Sequence, residues 1–310
     1  MISGGSATLA PAAAPARPAR DPGARLWLRA LLVCALVVLA GCRQTVRTPR
    51  PRPGVTAGDV VRAQNERVAA LDRLWSRVSV QVLARNEKGK RLRDQGEGHL
   101  QIVQPSSIAL SLGKVGQTLL YLGSNEQFYW WIDLVDSDEK VALVGRHERV
   151  TMDKAALLGV PVYPRDLVHM LGITPLPEAS RDATLEWDAH AHAGIRAPTE
   201  SGERRVWFDV DTMLPVRVEL FDRTGRLVLM SDLDRYDYVN VMGDATVKPK
   251  IAERADITIA ADDTRVKLSL YDPENRAIRP TSFDFERLVR GFGVDTIYDL
   301  DAQPDLPDHP

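Results

Sequence analysis

The sequence predicts a mainly β (α+β) fold, in which a single large curved antiparallel sheet forms a half-open barrel with a helical lid. Two observations predict it. From Val78 to Tyr271 apolar and polar residues alternate with a period of two, in short runs separated by turn signals. Segments with helical spacing of apolar residues precede and interrupt these runs. Strands that are apolar on one face must cover that face, and helices are the available cover.

The chain begins with a segment typical of a secretion signal. Arg25 and Arg29 precede a short apolar stretch, and the small residues Ala40 and Gly41 follow it. A spanning helix needs roughly 20 apolar residues, more than the stretch between Arg29 and Arg43 provides. Leu39 to Cys42 also resembles the lipobox of bacterial lipoproteins. We therefore expect residues 1–41 to be a lipoprotein signal peptide.

The number and positions of the cysteines predict an attachment site for a lipid rather than a reactive thiol. The chain has two cysteines, and Cys34 lies within the part that would be removed. Cys42 would then be the first mature residue, with no second thiol for a disulfide or a metal. We expect Cys42 to carry a lipid anchor. Residues 42–58 are rich in arginine and proline, which predicts an extended tether.

Composition is that of an ordinary globular protein, with 44% hydrophobic and 26% charged residues. The formal charge is −2. Phosphate-backbone binding requires a strongly basic surface, so this charge argues against a nucleic-acid partner.

The first folded element is an amphipathic helix in DVVRAQNERVAALDRLWSRV, with Thr56 and Asp59 as candidate caps. Its apolar residues at helical spacing are Val61, Val68, Leu71, Trp75 and Val78.

Strands follow. The alternating runs are Val78 to Val82, Gly96 to Ile102, Ile108 to Leu112, Leu185 to Trp187, Val206 to Val210, Val216 to Leu220 and Val266 to Leu270. Turn signals lie at Asn86 to Gly89, Gly123 to Asn125, Asp222 to Gly225 and Asp272 to Asn275.

Two short helices, Met152 to Leu158 and Pro164 to Leu171, are predicted between the strands, because Pro161 and Pro164 divide this apolar segment. Their apolar residues would close the hollow of the curled sheet. The folded domain is predicted over residues 59–300, and residues 301–310 form an acidic tail that we expect to be flexible.

Four stretches, in this order along the chain, resemble passages of the periplasmic lipoprotein-localisation family, LolA and LolB. They are GEGHLQIVQPSSIALSLGKVGQTLLYL, GVPVYPRDLVHMLG, WFDVDTMLPVRVELFDRTGRL and FDFERLVRGFGVDTIYDL. The resemblance implies a cavity that takes up acyl chains of lipoproteins bound for the outer membrane, with no bond made or broken and no cofactor. The residues expected to line it are Val80, Leu100, Ile102, Leu110, Leu119, Trp130, Leu157, Leu158, Val168, Leu171, Phe208 and Val218.

Lipidation of Cys42 indicates whether the chain is more similar to LolA or to LolB. One acyl chain anchors a protein marginally, and two or more hold it stably. A lipidated Cys42 therefore fits a membrane-bound acceptor like LolB, and Arg43 after it favours the outer membrane. This chain has Gln104 at the position where LolA has an arginine that helps to hold its lid closed. The resemblance therefore does not predict this contact here. Val115 occupies the place of the apolar residue that projects from a loop of LolB, which implies a membrane contact.

The other groups of residues that could support chemistry give weaker signals. His190 and His192 have metal-pair spacing, but no third ligand is placed by spacing, so no metal site is predicted. Gly113 to Thr118 lacks the pattern of a phosphate loop, and the serines have no assigned base, so an enzyme is not expected. In the run from Phe128 to Trp131, core packing and lining of a lipid cavity both stay open.

The leading function is a lipid-anchored acyl-chain-binding protein that faces the periplasm. It would take lipoproteins or other lipids from a periplasmic carrier and pass them to the outer membrane. We expect the protein to be a monomer. The alternative is a structural or assembly lipoprotein of the envelope with a filled core that docks another protein. The volume of the space between sheet and helices distinguishes the two.

Overall fold

A computed structural model of the chain describes residues 54–85, 90–136, 139–151, 154, 163–178, 184–242, 248–261 and 264–302. These residues belong to one compact unit, Pro49–Pro310. Several predictions lie outside the described residues: the signal peptide, Cys42, most of the tether, the turn at 86–89, Leu157 and Leu158 with nearly all of the first lid helix, and the tail from residue 303.

The first helix, α1 (Ala57–Val68), begins at a capping box formed by the two predicted caps. The Thr56 hydroxyl accepts a hydrogen bond from the backbone N–H of Asp59 at 3.2 Å, and the Asp59 carboxylate accepts one from the N–H of Thr56 at 3.1 Å. The predicted extension through Trp75 and Val78 is wrong. Both residues lie in the first strand, because the alternating burial from Leu74 onward matches hydrogen-bonded partners on two sides.

One sheet contains every strand with described bounds. The strands of its first half are β1 (Arg73–Arg85), β2 (Arg91–Val103), β3 (Ser107–Lys114), β4 (Gln117–Ser124), β5 (Phe128–Asp133), β6 (Val141–Arg146) and β7 (Glu186–Trp187). Those of its second half are β8 (Ala193–Pro198), β9 (Gly202–Asp209), β10 (Leu214–Asp222), β11 (Leu227–Tyr238), β12 (Asn240–Val241), β13 (Lys250–Ile259), β14 (Arg265–Asn275) and β15 (Thr296–Asp299).

The strand order is β15-β6-β5-β4-β3-β2-β1-β14-β13-β11-β10-β9-β8-β7, with β12 beside β14, and the two ends do not pair. The open sheet with helices against it confirms the predicted fold class. The sheet is not purely antiparallel as expected, because β15 pairs in parallel with β6 and β12 in parallel with β14.

The main core lies between the inner face of the sheet, α1 and the lid helix α2 (Pro164–Met170). One cluster joins Val60 of α1 and Leu167 of α2 to residues of both halves of the sheet, such as Leu100 and Phe208. The sheet therefore wraps around both helices. The N-terminal start of α2 matches the predicted second lid helix.

A third helix, α3 (Phe285–Phe292), covers part of the outer face and was not predicted. Asp284 caps it, since its carboxylate accepts from the N–H of Arg287 at 3.0 Å, and Gly293 ends it in the left-handed conformation at φ 65°. Phe285 and Phe292 pack on β3 to β5 from outside.

The turn predicted at Asp272 to Asn275 is wrong, because these residues continue β14. Asp272 has φ 50°, and the pairing of β1 with β14 shifts between Trp75 and Arg77. A bulge absorbs one extra residue there, and aspartate tolerates the left-handed region better than most residues. The turn at Asp222 to Gly225 is confirmed.

Among the described residues no helix is both long and apolar enough to cross a bilayer.

Candidate functional site

An apolar cavity of about 270 Å³ lies under the inner face of β1 to β5, β13 and β14, against α2. Its apolar lining consists of Val80, Val82, Leu110, Leu112, Leu119, Leu120, Leu122, Trp131, Val135, Leu167, Ile257, Val266 and Leu268. Polar residues, with Gly96 and Gly113, contribute the rest: Asp94, Gln95, Lys114 and Asp133. A space lined in this way fits an aliphatic ligand with a polar end outside.

Strand alternation builds the walls. Along β1 every second residue, from Val78 to Val82, points to the inner face, and the same parity holds on β3 for Leu110 and Leu112. Gly96 on β2 presents no side chain to this space. A Cβ there would meet only ordinary contacts, with the nearest atom 3.5 Å away. The space therefore exists partly because residue 96 is glycine.

The mouth of the cavity carries charge. Lys114 Nζ lies 2.5 Å from Asp94 Oδ1, and both side chains are more than half exposed. The hydrogen bond from Lys114 lowers the pKa of Asp94, and one from the N–H of Gln95 adds to this. An exposed pair of this kind contributes little stability. It marks the boundary where the apolar wall meets water.

Side chains of α1 fasten the segment that follows the lid helix. Gln64 Nε2 donates to the carbonyls of Gly172 and Thr174, both at 2.9 Å. Two hydrogen bonds join Asn65 and Leu176. The Asn65 side-chain amide donates to the Leu176 carbonyl at 2.9 Å, and the Leu176 N–H donates to Asn65 Oδ1 at 2.8 Å. These bonds fix the end of α2 against the core.

Gln104 adds a third fastening from the β2–β3 turn. Its Nε2 donates to the carbonyl of Leu71 at 2.8 Å and to that of Ile173 at 3.0 Å. An uncharged amide therefore connects this turn to the segment after the lid helix.

A buried arginine holds the other side of that segment. Arg204 of β9 donates to His169 Nδ1 at 2.8 Å, to the Thr174 hydroxyl and to the carbonyl of Pro175. Burial, with the nearby charge of Arg204, lowers the pKa of His169 to about 3. The imidazole is therefore neutral and accepts from the guanidinium.

The first turn of α2 contains a buried carboxyl. Asp166 is 2% exposed, and among the described residues its carboxylate accepts a hydrogen bond only from the Ser201 hydroxyl, at 3.5 Å, a weak contact. Burial raises the pKa of Asp166 to about 7, and the charge of Glu200 adds to this. Arg165 pairs with Glu200 at 2.6 Å. None of these groups belongs to the described lining of the cavity.

Three of the residues expected to line an acyl-chain cavity lie in the wall of this cavity: Val80, Leu110 and Leu119. Others lie in the main core without lining the cavity; these are Leu100, Ile102, Val168, Leu171, Phe208 and Val218. Val115 is fully exposed in the turn between β3 and β4, at φ 50°. The cavity wall also includes Leu112, Val266 and Leu268, which follow the same alternation but were not among the residues predicted to line it.

The aromatic run on β5 alternates between two faces. Trp130 points outward and packs beneath α3, with its ring 5.5 Å from that of Phe285. Trp131 points inward and lines the cavity. Trp130 therefore belongs to a packed cluster on the outer face, and Trp131 rather than Trp130 lies at the cavity.

His190 and His192 lie in the turn between β7 and β8. Asp188 organises this turn, since its carboxylate accepts from the N–H groups of His190 and His192 and lies 2.9 Å from His192 Nδ1. Within the described part of the chain no group of three His, Cys, Asp or Glu residues is placed to hold a metal.

No family model and no curated protein matches the chain. Solved structures do. A LolA superfamily protein from Nitrosomonas europaea is 13% identical, with 74% of this chain and 98% of that chain covered and a TM-score of 0.45. A putative outer membrane lipoprotein-sorting protein domain from Vibrio parahaemolyticus is 12% identical, with coverage of 74% and 97% and a TM-score of 0.48. A DUF1329 family protein from Desulfovibrio piger is 11% identical, with coverage of 74% and 97% and a TM-score of 0.41.

Proposed function

We propose that this protein binds acyl chains in the cavity, as a lipid-anchored acceptor in the cell envelope that takes up lipoproteins or other lipids and passes them to the outer membrane. The single observation that carries the proposal is an apolar cavity of about 270 Å³ with a charged rim. A solid core does not need such a space, because protein interiors pack with few voids larger than a water molecule. Binding without a reaction is proposed, since the described lining includes no serine, threonine, cysteine or histidine.

The proposed ligand is one aliphatic chain whose polar end stays at the mouth. Leu110, Leu268 and Trp131 would contact the chain, and the pair of Asp94 and Lys114 would lie beside its polar end. Removing apolar surface from water supplies the affinity, at roughly 0.8 kcal/mol per buried methylene.

Anchoring at Cys42 is part of the proposal. An acylated first residue would hold the protein at a membrane, since two or more chains bind a bilayer stably. Val115 would touch the same surface from the β3–β4 turn. A periplasmic carrier is one proposed source of the lipid, and an acceptor held in this way suits transfer from a carrier into the membrane.

The test is competition of fatty acids of increasing length against a fluorescent fatty acid bound to the purified full-length chain. Affinity is expected to rise about fourfold with each methylene while the cavity fills. It is then expected to level off, when further carbons remain in water. Absence of binding at every length would contradict the proposal and favour the alternative, an envelope lipoprotein that docks another protein.

Neighbouring residues on β3 give a matched pair of variants. Leu112 lines the cavity and Ser111 points to the outer face. Leu112→Glu places a charge in the cavity and is expected to abolish binding. Ser111→Glu introduces the same charge outside and is expected to leave binding unchanged. Equal loss in both variants would contradict a ligand site on the inner face.

A further inference from the structure

The hairpin of β1 and β2 projects beyond the rest of the sheet at the mouth of the cavity. Pairing of β2 with β3 stops at Glu97 opposite Gly113. Pairing of β1 with β14 stops at Leu83 opposite Arg265. The two strands of the hairpin pair onward to Arg85 opposite Arg91. We call residues 83–85 and 91–93 the terminal ribbon.

The terminal ribbon concentrates positive charge on one face. Arg85 and Arg91 are directly opposite each other, and Arg93 follows on the same face two residues along. All three are exposed, and the described part of the chain gives none of them an ion-pair partner. Residues 85–93 contain five basic residues and one acidic residue, in a chain whose formal charge is −2. Like charges directly opposite in a sheet repel, and bound anions would relieve this repulsion.

The other face of the terminal ribbon is apolar and continues the cavity wall. Leu92, opposite Ala84, has the same parity as the lining residues and is 49% exposed. Val115 in the β3–β4 turn is fully exposed, and Val135 after β5 is 69% exposed. The bond from the Leu134 N–H to the Leu119 carbonyl, at 2.9 Å, places Val135 beside β4 at this same end of the sheet.

Exposed apolar side chains beside exposed arginines are typical of surfaces that bind the interface of an anionic bilayer. The ion pair of Lys114 with Asp94 connects the β3–β4 turn to the base of the ribbon, so the arginines and Val115 belong to one rim. An acidic protein partner would use the arginines but would give no reason for bare apolar residues around them.

We propose that this rim docks the protein on a bilayer that contains anionic phospholipid. Arg85, Arg91 and Arg93 bind between the phosphate headgroups, and Leu92 and Val115 enter the interface. The mouth of the cavity then faces the membrane. This docking does not depend on an acyl chain occupying the cavity, and it adds to whatever anchor Cys42 provides.

The test is sedimentation of the chain from residue 42 onward, without the expected signal peptide, with vesicles of phosphatidylcholine, with and without phosphatidylglycerol. Cys42→Ser in every sample removes the thiol that would carry a lipid. Replacing the three ribbon arginines with alanine is expected to weaken binding to the phosphatidylglycerol vesicles on the order of 100-fold. Binding of the unaltered ribbon is expected to weaken with salt.

The control replaces Arg279, Arg287 and Arg290 with alanine, because these exposed residues before and within α3 change the charge equally at another surface. This control is expected to bind like the parent. Equal losses in both variants, or none in the ribbon variant, would overturn the proposal. Ribbon-dependent binding of polyglutamate without binding of vesicles would overturn it in favour of an acidic protein.

Fatty-acid competition in solution separates this proposal from the acyl-chain function. The ribbon variant is expected to keep the fatty-acid affinity of the parent, since the ribbon arginines lie outside the lining. Should the cavity bind no fatty acid at all, the vesicle comparison would still decide the docking proposal.

Discussion

Replacing Gly96 with isoleucine places a side chain in the cavity. We expect this change to weaken ligand binding and to raise the stability of the fold. A Cβ at this position would lie 3.5 Å from Leu112 Cβ and 3.6 Å from the Gly113 carbonyl, which are ordinary contacts. The side chain then extends into a space of about 270 Å³. Isoleucine suits a strand, so the fold accepts the change.

The two effects have opposite signs. The side chain displaces about four methylenes of ligand, which costs about 3 kcal/mol of binding free energy, or about 200-fold in Kd. The free energy of unfolding is expected to rise by roughly 2 kcal/mol, because an apolar group is buried and a flexible glycine is removed.

Fatty-acid competition measures the affinity of this variant, and urea denaturation measures its stability. Ser79→Ile on β1 is the control, since this residue pairs with Glu97 and points to the outer face. The control is expected to bind normally. Normal affinity of Gly96→Ile for fatty acids would refute the assignment of the cavity as the ligand site.

Three further changes test the framework around the cavity. Gly98→Ala places a Cβ 1.8 Å from the Ser111 carbonyl, so urea denaturation is expected to show a loss of at least about 3 kcal/mol, and a loss below about 1 kcal/mol would contradict the close approach of β2 and β3. Gln104→Ala removes hydrogen bonds to two backbone carbonyls and is expected to cost about 1–3 kcal/mol, with faster amide hydrogen exchange around Ile173; unchanged exchange would contradict the fastening. The pKa of Asp166 is raised by burial to about 7 in the folded chain and is roughly 4 in the unfolded chain, so the folded protein holds a proton that the unfolded chain releases, and stability falls as pH rises through this window. Urea denaturation is therefore expected to show that the free energy of unfolding of Asp166→Asn rises relative to that of the wild type by up to about 4 kcal/mol between roughly pH 4 and pH 8. A difference between the two proteins that does not change with pH would contradict this.

Strand alternation made much of the fold predictable, because residues such as Val80 and Leu110 repeat with a period of two and that period has one structural meaning. The prediction that α1 extends through Trp75 and Val78 was wrong, because these two residues continue the helical spacing of apolar residues although they lie in β1. Pairing with β2 and β14, which no local pattern reveals, decided that segment. The parallel addition of β15 depends on contacts distant in the sequence for the same reason.

Periodicity identified two faces of β5 but not which one is inner. Trp130 and Trp131 are chemically alike, so only the position of α3 on the outer face distinguishes them. The signals for α3 were present in Asp284 and Gly293, which bound an amphipathic segment of eight residues. The cavity itself depends on glycine at residue 96, and absence of a side chain gives no apolar signal in a sequence.

Photocrosslinking tests the central claim most directly. A fatty acid with a diazirine near its methyl end is bound to the full-length protein, irradiated and located by mass spectrometry of peptides. Crosslinks are expected on the inner-face residues Leu110, Leu120 and Leu268, and to disappear in Gly96→Ile. Crosslinks confined to the outer face around α3, or none that a natural fatty acid competes away, would contradict an acyl-chain site under the sheet.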